Sequence, residues 1–241
     1  MANHLKNIIL EAERYPTKDH YPFNLPLFSE TKELVFDSPI TLFVGENGSG
    51  KSTLLEAIAE AAGIYIWRNG MSSRYRVNRY EGSLHRYIKV NWTTEKVPGS
   101  FFGAQIFKDF ASILEEWATT DPGQLELFGG KSLISQSHGQ SLMSFFKNRY
   151  KLKGLYLLDE PETALSPSSQ LELLNLLIDN AKAGHAQFIV TTHSPILLAC
   201  DLATIYSFDK MPVASVEYED TEHFKVYHDF LNDRGKYMNL K

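Results

Sequence analysis

The sequence predicts an α/β protein with a mostly parallel sheet that is covered by helices on both faces. Short apolar runs, with the length of buried strands, alternate with segments of helical periodicity in two parts of the chain, residues 33–63 and 152–209. A glycine-rich turn joins one of these strands directly to the helix that follows it. Strands that alternate with helices form parallel sheets with both faces covered, and we expect one domain over residues 1–241.

The composition is that of an ordinary folded protein. Hydrophobic residues make up 43% of the chain and charged residues 22%, which excludes collagen-like and wholly disordered classes. The net charge of −5 provides no global basic field, so any contact with nucleic acid or an anionic membrane has to be local. The single cysteine, Cys200, and the absence of an export signal favour the cytoplasm. Because no apolar run is long enough to span a bilayer, we expect no direct membrane insertion.

Residues 33–63 read as strand, loop and helix, and the loop carries the first chemical motif. Residues 45–52 have the sequence GENGSGKS, which matches the phosphate-binding pattern G-x-x-x-x-G-K-[ST]. Glycines let backbone N–H groups close on phosphate oxygens, and the following helix presents its positive end. The context of strand and helix disfavours the alternative, an ordinary glycine-rich turn. The candidate nucleotide-binding residues are Gly45, Asn47, Gly48, Ser49, Gly50, Lys51, Ser52 and Thr53, with Ser52 also a candidate magnesium ligand.

Residues 64–130 alternate aromatic, basic and turn residues without a sustained period. Their punctuation by Gly and Pro predicts short strands followed by a helix near 104–118, within a variable β and helical lobe over 64–150. The segment 68–89 has a local charge excess that suits a nucleic-acid backbone or exposed bases, because aromatic residues are interleaved with the basic ones. A solvated basic face is the alternative. The basic residues are Arg68, Arg74, Arg76, Arg79, Arg86 and Lys89, against Glu81.

Residues 152–209 begin with an apolar run that ends in Asp159 and Glu160, as a buried parallel strand would. Carboxylates in this position emerge where open α/β sheets bind ligands. Asp159 is therefore a candidate magnesium ligand, and Glu160 is the candidate catalytic residue that orients and partly deprotonates an attacking water. A surface acidic pair before Pro161 is the alternative, which the upstream phosphate loop disfavours.

The chain then predicts a helix and two further strands. Ser166 and Pro167 read as the N-cap and the first position of a helix of about five turns that ends before Gly184. Residues 187–192 and 203–208 read as two more buried strands.

These motifs resemble those of the ATP-binding cassette ATPases, and within them the soluble chromosome-maintenance and recombination-repair type rather than the transporters. The matching segments are, in chain order, GENGSGKST, SHGQS, LYLLDEPETALSP and TTHSP. The combination looks closest to small bacterial ATPases with an S-H-G-[EQ]-S signature. The resemblance implies a P-loop fold in which the parallel sheet carries a small antiparallel β lobe and a helical signature lobe. It also implies ATP and Mg²⁺ as ligands and ATP hydrolysis as the activity.

The resemblance gives the SHGQS segment a role between two copies of the chain. Ser137, Gly139 and Gln140 occupy the signature position and would contact the γ-phosphate of ATP bound to the other copy, which implies a homodimer induced by ATP. His138 stands where the family usually has glycine. A plain helix capped by Ser137 is the alternative. Residues 164–166 occupy the place of the loop that links the two sites, although Ser166 is equally explained as a helix cap.

Three further roles rest on the resemblance. His193 follows a predicted strand at the position of the switch histidine and is a candidate catalytic residue. Gln105 is the candidate glutamine for magnesium and the attacking water, with Gln124 and Gln136 as alternatives. The candidates for an aromatic side chain that stacks on adenine are Tyr21 and Phe23, although core packing explains either residue better.

We therefore expect a magnesium-dependent ATPase whose dimer acts on nucleic acid or on an unidentified protein partner. Two alternatives stay open. One is the energising subunit of a membrane transporter. The other is a nucleotide-dependent binding switch with little turnover, which the unusual His138 suggests.

Overall fold

The fold is taken from a computed structural model that describes residues 3–67, 78–121, 123–126, 130, 132 and 138–238. These residues form two sheets, of six and three strands. In chain order the strands are β1 Leu5–Leu10, β2 Glu33–Val35, β3 Ile40–Val44, β4 Ile88–Trp92, β5 Gly99–Gly103, β6 Gly154–Asp159, β7 Ala186–Thr191, β8 Ala203–Ser207 and β9 Ala214–Val216. The α-helices are α1 Pro26–Glu30, α2 Lys51–Ala61, α3 Ala104–Thr120, α4 Gly123–Glu126, α5 His138–Arg149, α6 Pro167–Lys182, α7 Pro195–Leu198 and α8 Glu222–Asn232.

The six-stranded sheet has the order β5-β6-β7-β3-β8-β9. Its strands β5, β6, β7, β3 and β8 run parallel, and β9 is added antiparallel to β8. The register places Thr191 of β7 opposite Phe43 of β3 and opposite Asp159 of β6. The carboxyl ends of β3, β6 and β7 therefore meet at one edge. This arrangement confirms the predicted parallel sheet and brings the phosphate loop beside the acidic strand end.

The three-stranded sheet has the order β2-β1-β4 and is antiparallel. Two of its strands precede the phosphate loop, and β4 alone comes from residues 64–150. From the same range, β5 joins the parallel sheet as its edge strand. The small antiparallel sheet is confirmed. Its strands come from a wider part of the chain than residues 64–150, because β1 pairs with both β2 and β4.

Hydrophobic side chains pack on both faces of the large sheet. On one face, Phe43 packs with α2 and the small sheet in a cluster that includes Phe28 and Leu54. On the other face, Leu42 and Val44 pack under α3, α5 and α6. All residues of β3 are buried, as expected of a parallel strand that is covered twice. Among the described residues, no helix combines the length and the apolar character that crossing a membrane requires.

The predicted helices are present with small shifts at their ends. The helix expected near 104–118 extends over Ala104–Thr120. Helix α6 begins at Pro167, and the hydroxyl of Ser166 accepts a hydrogen bond from the amide of Ser169 at 3.3 Å, as a helix cap does. Two residues after the end of α6, Gly184 adopts a φ of +80°, a left-handed conformation that glycine adopts readily.

Candidate nucleotide-binding site

The loop between β3 and α2 is shaped by glycines in left-handed conformations. Gly45 has φ of +151°, Gly48 of +80° and Gly50 of +101°. A Cβ atom at Gly50 would lie 2.8 Å from Cζ of Phe28, which is fully buried. Position 50 therefore requires glycine both for its backbone conformation and for the close approach of α1.

Lys51, the first residue of α2, lies inside this loop. Its side chain is buried, and its Nζ donates hydrogen bonds to the carbonyl oxygens of Gly45 at 2.7 Å and Glu46 at 2.9 Å. Burial lowers the pKa of the Lys51 ammonium, and the carboxylates of Glu160 and Asp209 oppose that shift. The ammonium is thus held by neutral acceptors, at the place where an anion would bind it more strongly.

Asp159 joins the ends of β6, β7 and α2. Its Oδ1 accepts a hydrogen bond from Oγ of Ser52 at 2.8 Å and another from Oγ1 of Thr191 at 2.6 Å. The pairing with Thr191 follows from the β6–β7 register. A carboxylate and a hydroxyl that converge on one point are oxygen ligands of the kind that Mg²⁺ prefers. The structure thus brings together Ser52 and Asp159, the two candidate magnesium ligands from the sequence.

Glu160 has a strained backbone. Its φ of 45° and ψ of 56° are left-handed, and no other non-glycine residue in the described part of the chain has positive φ. Its amide donates to both the carbonyl oxygen and Oγ1 of Thr191, at 3.1 and 3.0 Å. Such strain persists only where the surroundings hold it, and it concentrates at functional sites. Burial raises the pKa of the Glu160 carboxyl, the charge of Asp159 raises it further, and Lys51 opposes both.

His193, the candidate switch histidine, lies next to Glu160. Its Nε2 is 3.5 Å from Oε1 of Glu160, and its Nδ1 forms a hydrogen bond of 2.8 Å with Nε2 of His223 on α8. Burial lowers the pKa of the His193 imidazole, and the positive charge of Lys51 lowers it further. The ring of His193 is therefore neutral at neutral pH. It carries one proton, either on Nδ1 or on Nε2.

Glu162 holds the loop that carries His193. Its Oε1 accepts hydrogen bonds from the amide of His193 at 2.7 Å and from Oγ1 of Thr192 at 2.8 Å. Burial raises the pKa of the Glu162 carboxyl, although these two donors lower it in part. The loops after β6 and β7 are thereby tied to each other.

The donors and acceptors present fit a nucleoside triphosphate with Mg²⁺. Oγ of Ser49, in the middle of the phosphate loop, is buried and has no hydrogen-bond partner in the described part of the chain. Buried hydroxyls are normally satisfied, so this atom suits a phosphate oxygen. Ser52 and Asp159 present the oxygen atoms that a cation would need.

The signature segment is described only in part. Gly139 and Gln140 lie at the start of α5, whereas Ser137 and the side chain of His138 are outside the described residues. A Cβ atom at Gly139 would lie 3.4 Å from the carbonyl oxygen of Ala164 and 3.9 Å from Leu165. The signature helix therefore lies against the loop that follows Glu160, and this loop is the segment that the resemblance assigns to communication between two sites.

The candidate glutamine Gln105 lies in the first turn of α3. This helix follows β5 directly, and Gly103 at the end of β5 is the register partner of Asp159. The backbone of Gln105 is thus close to the acidic strand end in topology. Its side chain, the side chain of Gln124 and the whole of Gln136 lie outside the described residues, so the role of Gln105 stays a prediction.

The two candidate aromatic residues differ in their surroundings. Phe23 is buried and packs against the rings of Tyr15, Tyr80 and Tyr87 at centroid distances of 4.7 to 6.1 Å. Phe23 is therefore a core residue and not the side chain that stacks on adenine. Tyr21 is 39% exposed, and its hydroxyl is hydrogen-bonded to Oγ1 of Thr53 beside the phosphate loop.

The basic segment 68–89 is described from residue 78 onward. Arg68, Arg74 and Arg76 lie outside the described residues. Arg79, Arg86 and Lys89 are exposed, and the guanidinium of Arg79 lies 4.7 Å from the centroid of the Tyr80 ring. Arg79 and Arg86 share a cleft with Glu60 and Glu81. Nucleic-acid binding by this segment stays a prediction.

Four residues of the site were not predicted from the sequence. Asp209, just after β8, accepts a hydrogen bond from the amide of Glu46 in the phosphate loop at 2.8 Å. Its position after a parallel strand was a usable signal. Thr191 and Glu162 lie inside the TTHSP and LYLLDEPETALSP motifs, but the motifs alone assigned them no role. No sequence pattern points to His223, because it lies 30 residues beyond His193 in a separate helix.

Comparisons with known proteins agree with this geometry. Residues 123–199 match a family model described as "AAA domain, putative AbiEii toxin, Type IV TA system", and residues 24–96 match one described as "AAA domain". No curated protein sequence matches the chain significantly.

Solved structures of similar fold extend over nearly the whole chain. CbiO1 from Clostridium perfringens, part of the ABC transporter complex cbiONQ, is 16% identical with a TM-score of 0.55, over 97% of this chain and 98% of that chain. The SMC head bound to the C-winged helix domain of ScpA is 13% identical with a TM-score of 0.54, over 90% and 99%. The chain has the fold of the ATP-binding cassettes, and two of its segments match AAA-domain family models.

A third match shows the breadth of this fold. MJ1267, an ATP-binding cassette of an ABC transporter in its ADP conformation, is 12% identical with a TM-score of 0.54, over 95% of this chain and 99% of that chain. At these identities the likeness concerns the fold. The cassette fold accounts for the parallel sheet, the small antiparallel sheet and the helices α3 and α5 on one side. The fold does not identify the activity or the partner of this chain, which depend on its own residues.

Proposed function

We propose that this cassette binds ATP with Mg²⁺ and hydrolyses it, as one half of a homodimer that ATP assembles. The observation that supports this most is that Asp159, followed directly by Glu160, is hydrogen-bonded to Ser52 at the end of the phosphate loop. An acidic pair with a purely structural role would need neither the hydrogen bond from Ser52 to Asp159 nor the left-handed backbone of Glu160. Both features suit a site that positions a metal ion and a water molecule.

The phosphate loop would hold the triphosphate through its backbone N–H groups, the N-terminus of α2 and the ammonium of Lys51. Ser52 and Asp159 would hold Mg²⁺, which neutralises phosphate charge when bound. We further propose Gln105 as a ligand of the ion, because its helix begins beside the register partner of Asp159. Gly45, Asn47, Gly48, Ser49, Gly50 and Thr53 complete the proposed nucleotide site.

Glu160 would orient the attacking water and accept its proton. A carboxyl whose pKa is raised by burial is a stronger base toward water than one in solvent. His193 would donate a hydrogen bond from Nε2 to the γ-phosphate or to the same water, since this nitrogen lies 3.5 Å from Glu160. Phosphoryl transfer depends mainly on positioning and charge stabilisation, and this pair provides both next to the phosphate loop.

A second copy would complete the site through Ser137, Gly139 and Gln140. The N-terminus of a twelve-residue helix such as α5 favours an anion. Gly139 lies against Ala164 and Leu165, close after Glu160, so the signature helix and the catalytic loop share a contact. This contact would let one copy sense nucleotide that is bound by the other.

The proposal predicts that Glu160→Gln traps a dimer. The amide keeps the shape of the carboxylate but does not accept the proton of water, so hydrolysis falls by about two to four orders of magnitude while ATP binding persists. Size-exclusion chromatography with light scattering should show a dimer with ATP and Mg²⁺ and a monomer without nucleotide.

Lys51→Ala is the control, because it removes the charge that holds the outer phosphates and should stay monomeric with ATP. A Glu160→Gln protein that stays monomeric at saturating ATP would contradict the dimer. A wild-type protein that dimerises with ATP but releases no phosphate would support the binding-switch alternative. Steady-state phosphate release therefore accompanies the chromatography.

The cellular role is the least constrained part of the proposal. Cytoplasmic location and action on nucleic acid or a protein partner stay predictions from the sequence. The buried free thiol of Cys200 is compatible with a reducing compartment. Similarity in fold to transporter cassettes and to an SMC head does not choose between these roles.

A further inference from the structure

We propose that His223 is a positioning residue for His193: it donates its Nε2–H to Nδ1 of His193 and so keeps the proton of His193 on Nε2. This inference rests on the proposed function of His193. It adds a residue from helix α8 that none of the sequence motifs contains.

The two rings form a direct hydrogen bond. Nδ1 of His193 and Nε2 of His223 are 2.8 Å apart, and the ring centroids are 5.0 Å apart at an interplanar angle of 44°. A hydrogen bond between two imidazole nitrogens needs one proton and one lone pair. Two arrangements are possible, and they differ in whether Nε2 of His193 carries a proton.

The surroundings of Nε2 of His193 decide between them. This atom lies 3.5 Å from Oε1 of Glu160, and it is buried with no hydrogen-bond partner in the described part of the chain. A bare lone pair would face the carboxylate oxygen and repel it, whereas an N–H group is attracted to it. The proton on Nε2 is thus favoured, and Nδ1 becomes the acceptor for His223.

The charges around the pair are compatible with two neutral rings. The groups that face them are Lys51, Glu46, Asp159, Glu160, Glu162 and Asp209. Burial lowers the pKa of His223, and His193 and Lys51 lower it further. Two protonated rings would also place two N–H groups against each other across 2.8 Å. Each ring therefore carries one proton at neutral pH, and the hydrogen bond fixes its position.

The consequence concerns the proposed reaction. With its proton on Nε2, His193 can donate to a phosphate oxygen or to the attacking water, and with its proton on Nδ1 it cannot. His223 does not touch the nucleotide in this scheme. It acts by selecting the tautomer of His193, as second partners of catalytic histidines do.

The test compares three variants. His223→Phe keeps an aromatic ring of similar volume and removes the donor, and His223→Gln restores an amide donor at similar reach. His228→Phe, an exposed histidine of the same helix, is the matched control. Thermal melting checks that all three fold.

The first readout needs no nucleotide. Two-bond ¹H–¹⁵N correlation spectra of the ¹⁵N-histidine-labelled protein, with His193 assigned by His193→Gln, report which ring nitrogen carries the proton. We expect Nε2 in the wild type, in His223→Gln and in His228→Phe, and a mixture of both tautomers in His223→Phe. A wild-type spectrum with the proton of His193 on Nδ1 would overturn the proposal.

The second readout is phosphate release. We expect kcat of His223→Phe to fall about tenfold, the effect of one misdirected hydrogen bond, with KM for ATP nearly unchanged and with rescue by His223→Gln. Equal kcat in His223→Phe and His228→Phe would also overturn the proposal. If the wild type itself releases no phosphate, the proposed function fails, while the tautomer is still measured independently.

Discussion

Lys51 shows how the surroundings of a single side chain determine its role. Its ammonium is buried and donates to two neutral carbonyl oxygens of the phosphate loop. These two oxygens carry no net charge, whereas a phosphate oxygen is anionic and attracts the ammonium more strongly. An incoming phosphate therefore competes well for this ammonium, whose pKa is lowered by burial and raised in part by the nearby carboxylates.

Gly50 is the residue at which the loop is most sensitive to substitution. We predict that Gly50→Ala lowers the free energy of unfolding by about 2–3 kcal/mol, because a left-handed alanine costs 1–2 kcal/mol and its Cβ would press on Phe28. Gly82→Ala is the matched control, since Gly82 has φ of +71° but open space around its Cβ position. It should cost about 1–2 kcal/mol.

Urea unfolding of both variants measures the difference. ATP binding, followed by isothermal titration calorimetry, should be lost only in Gly50→Ala. Equal unfolding free energies for the two variants would show that the contact with Phe28 is not tight.

The strand ends account for the site at the scale of secondary structure. Because β7 lies between β3 and β6, Thr191 can bond Asp159, and both loops approach the start of α2. Much of this was predictable, since apolar runs of strand length that end in Asp159 or in Thr192 locate the strands. Asp159, Glu160, His193 and the phosphate loop were predicted to act together, and the structure places them together.

Other elements could not be predicted, for physical reasons. The small sheet needs β1 to pair with β2 and β4, which are distant in sequence, and short strands leave no periodicity that identifies such partners. The pairing of His193 with His223 depends on how α8 docks on the site, which no local pattern encodes. The role of Phe23 was left open by the sequence, because an aromatic residue near a loop suits both a core and a ligand contact.

The loops after β6 and β7 are joined by Glu162, which leads to a prediction about pH. Since burial raises the pKa of its carboxyl in the folded protein, ionisation of Glu162 costs stability as pH rises from the unfolded pKa through the folded one. Glu162→Gln keeps an oxygen acceptor for Thr192 and His193 without the charge. We predict that this variant is more stable than the wild type at neutral pH. The difference should shrink as pH falls through the raised pKa of the folded protein and disappear below the ordinary pKa of the unfolded one.

Urea unfolding of the two proteins across the acidic to neutral range measures this difference. Glu172→Gln, on the exposed side of α6, is a control that should change stability little, because the ion pair of Glu172 with Lys147 lies at the surface. A Glu162→Gln protein that is less stable than the wild type at every pH would contradict this prediction. It would show that the charge of Glu162 gains more from the two hydrogen bonds than it loses through burial.

At the scale of the whole molecule, the proposed function requires two copies of the chain. The phosphate loop and the acidic strand end lie within one chain, and the signature helix α5 lies against the loop after Glu160. Symmetric dimers use the same surface of both copies, so each of the two sites would combine the phosphate loop of one chain with the signature of the other. Such a shared site makes hydrolysis depend on association.

Mixing two inactive variants tests this sharing most directly. Lys51→Ala disables the phosphate loop, and Gly139→Asp places a negative side chain where the signature would meet the γ-phosphate. Each protein should release almost no phosphate by itself. In a mixed dimer, one site combines the intact phosphate loop of the Gly139→Asp copy with the intact signature of the Lys51→Ala copy. We predict that an equal mixture recovers phosphate release that neither protein shows by itself, since each mixed dimer has one working site. A mixture that stays as inactive as its components would contradict the shared site.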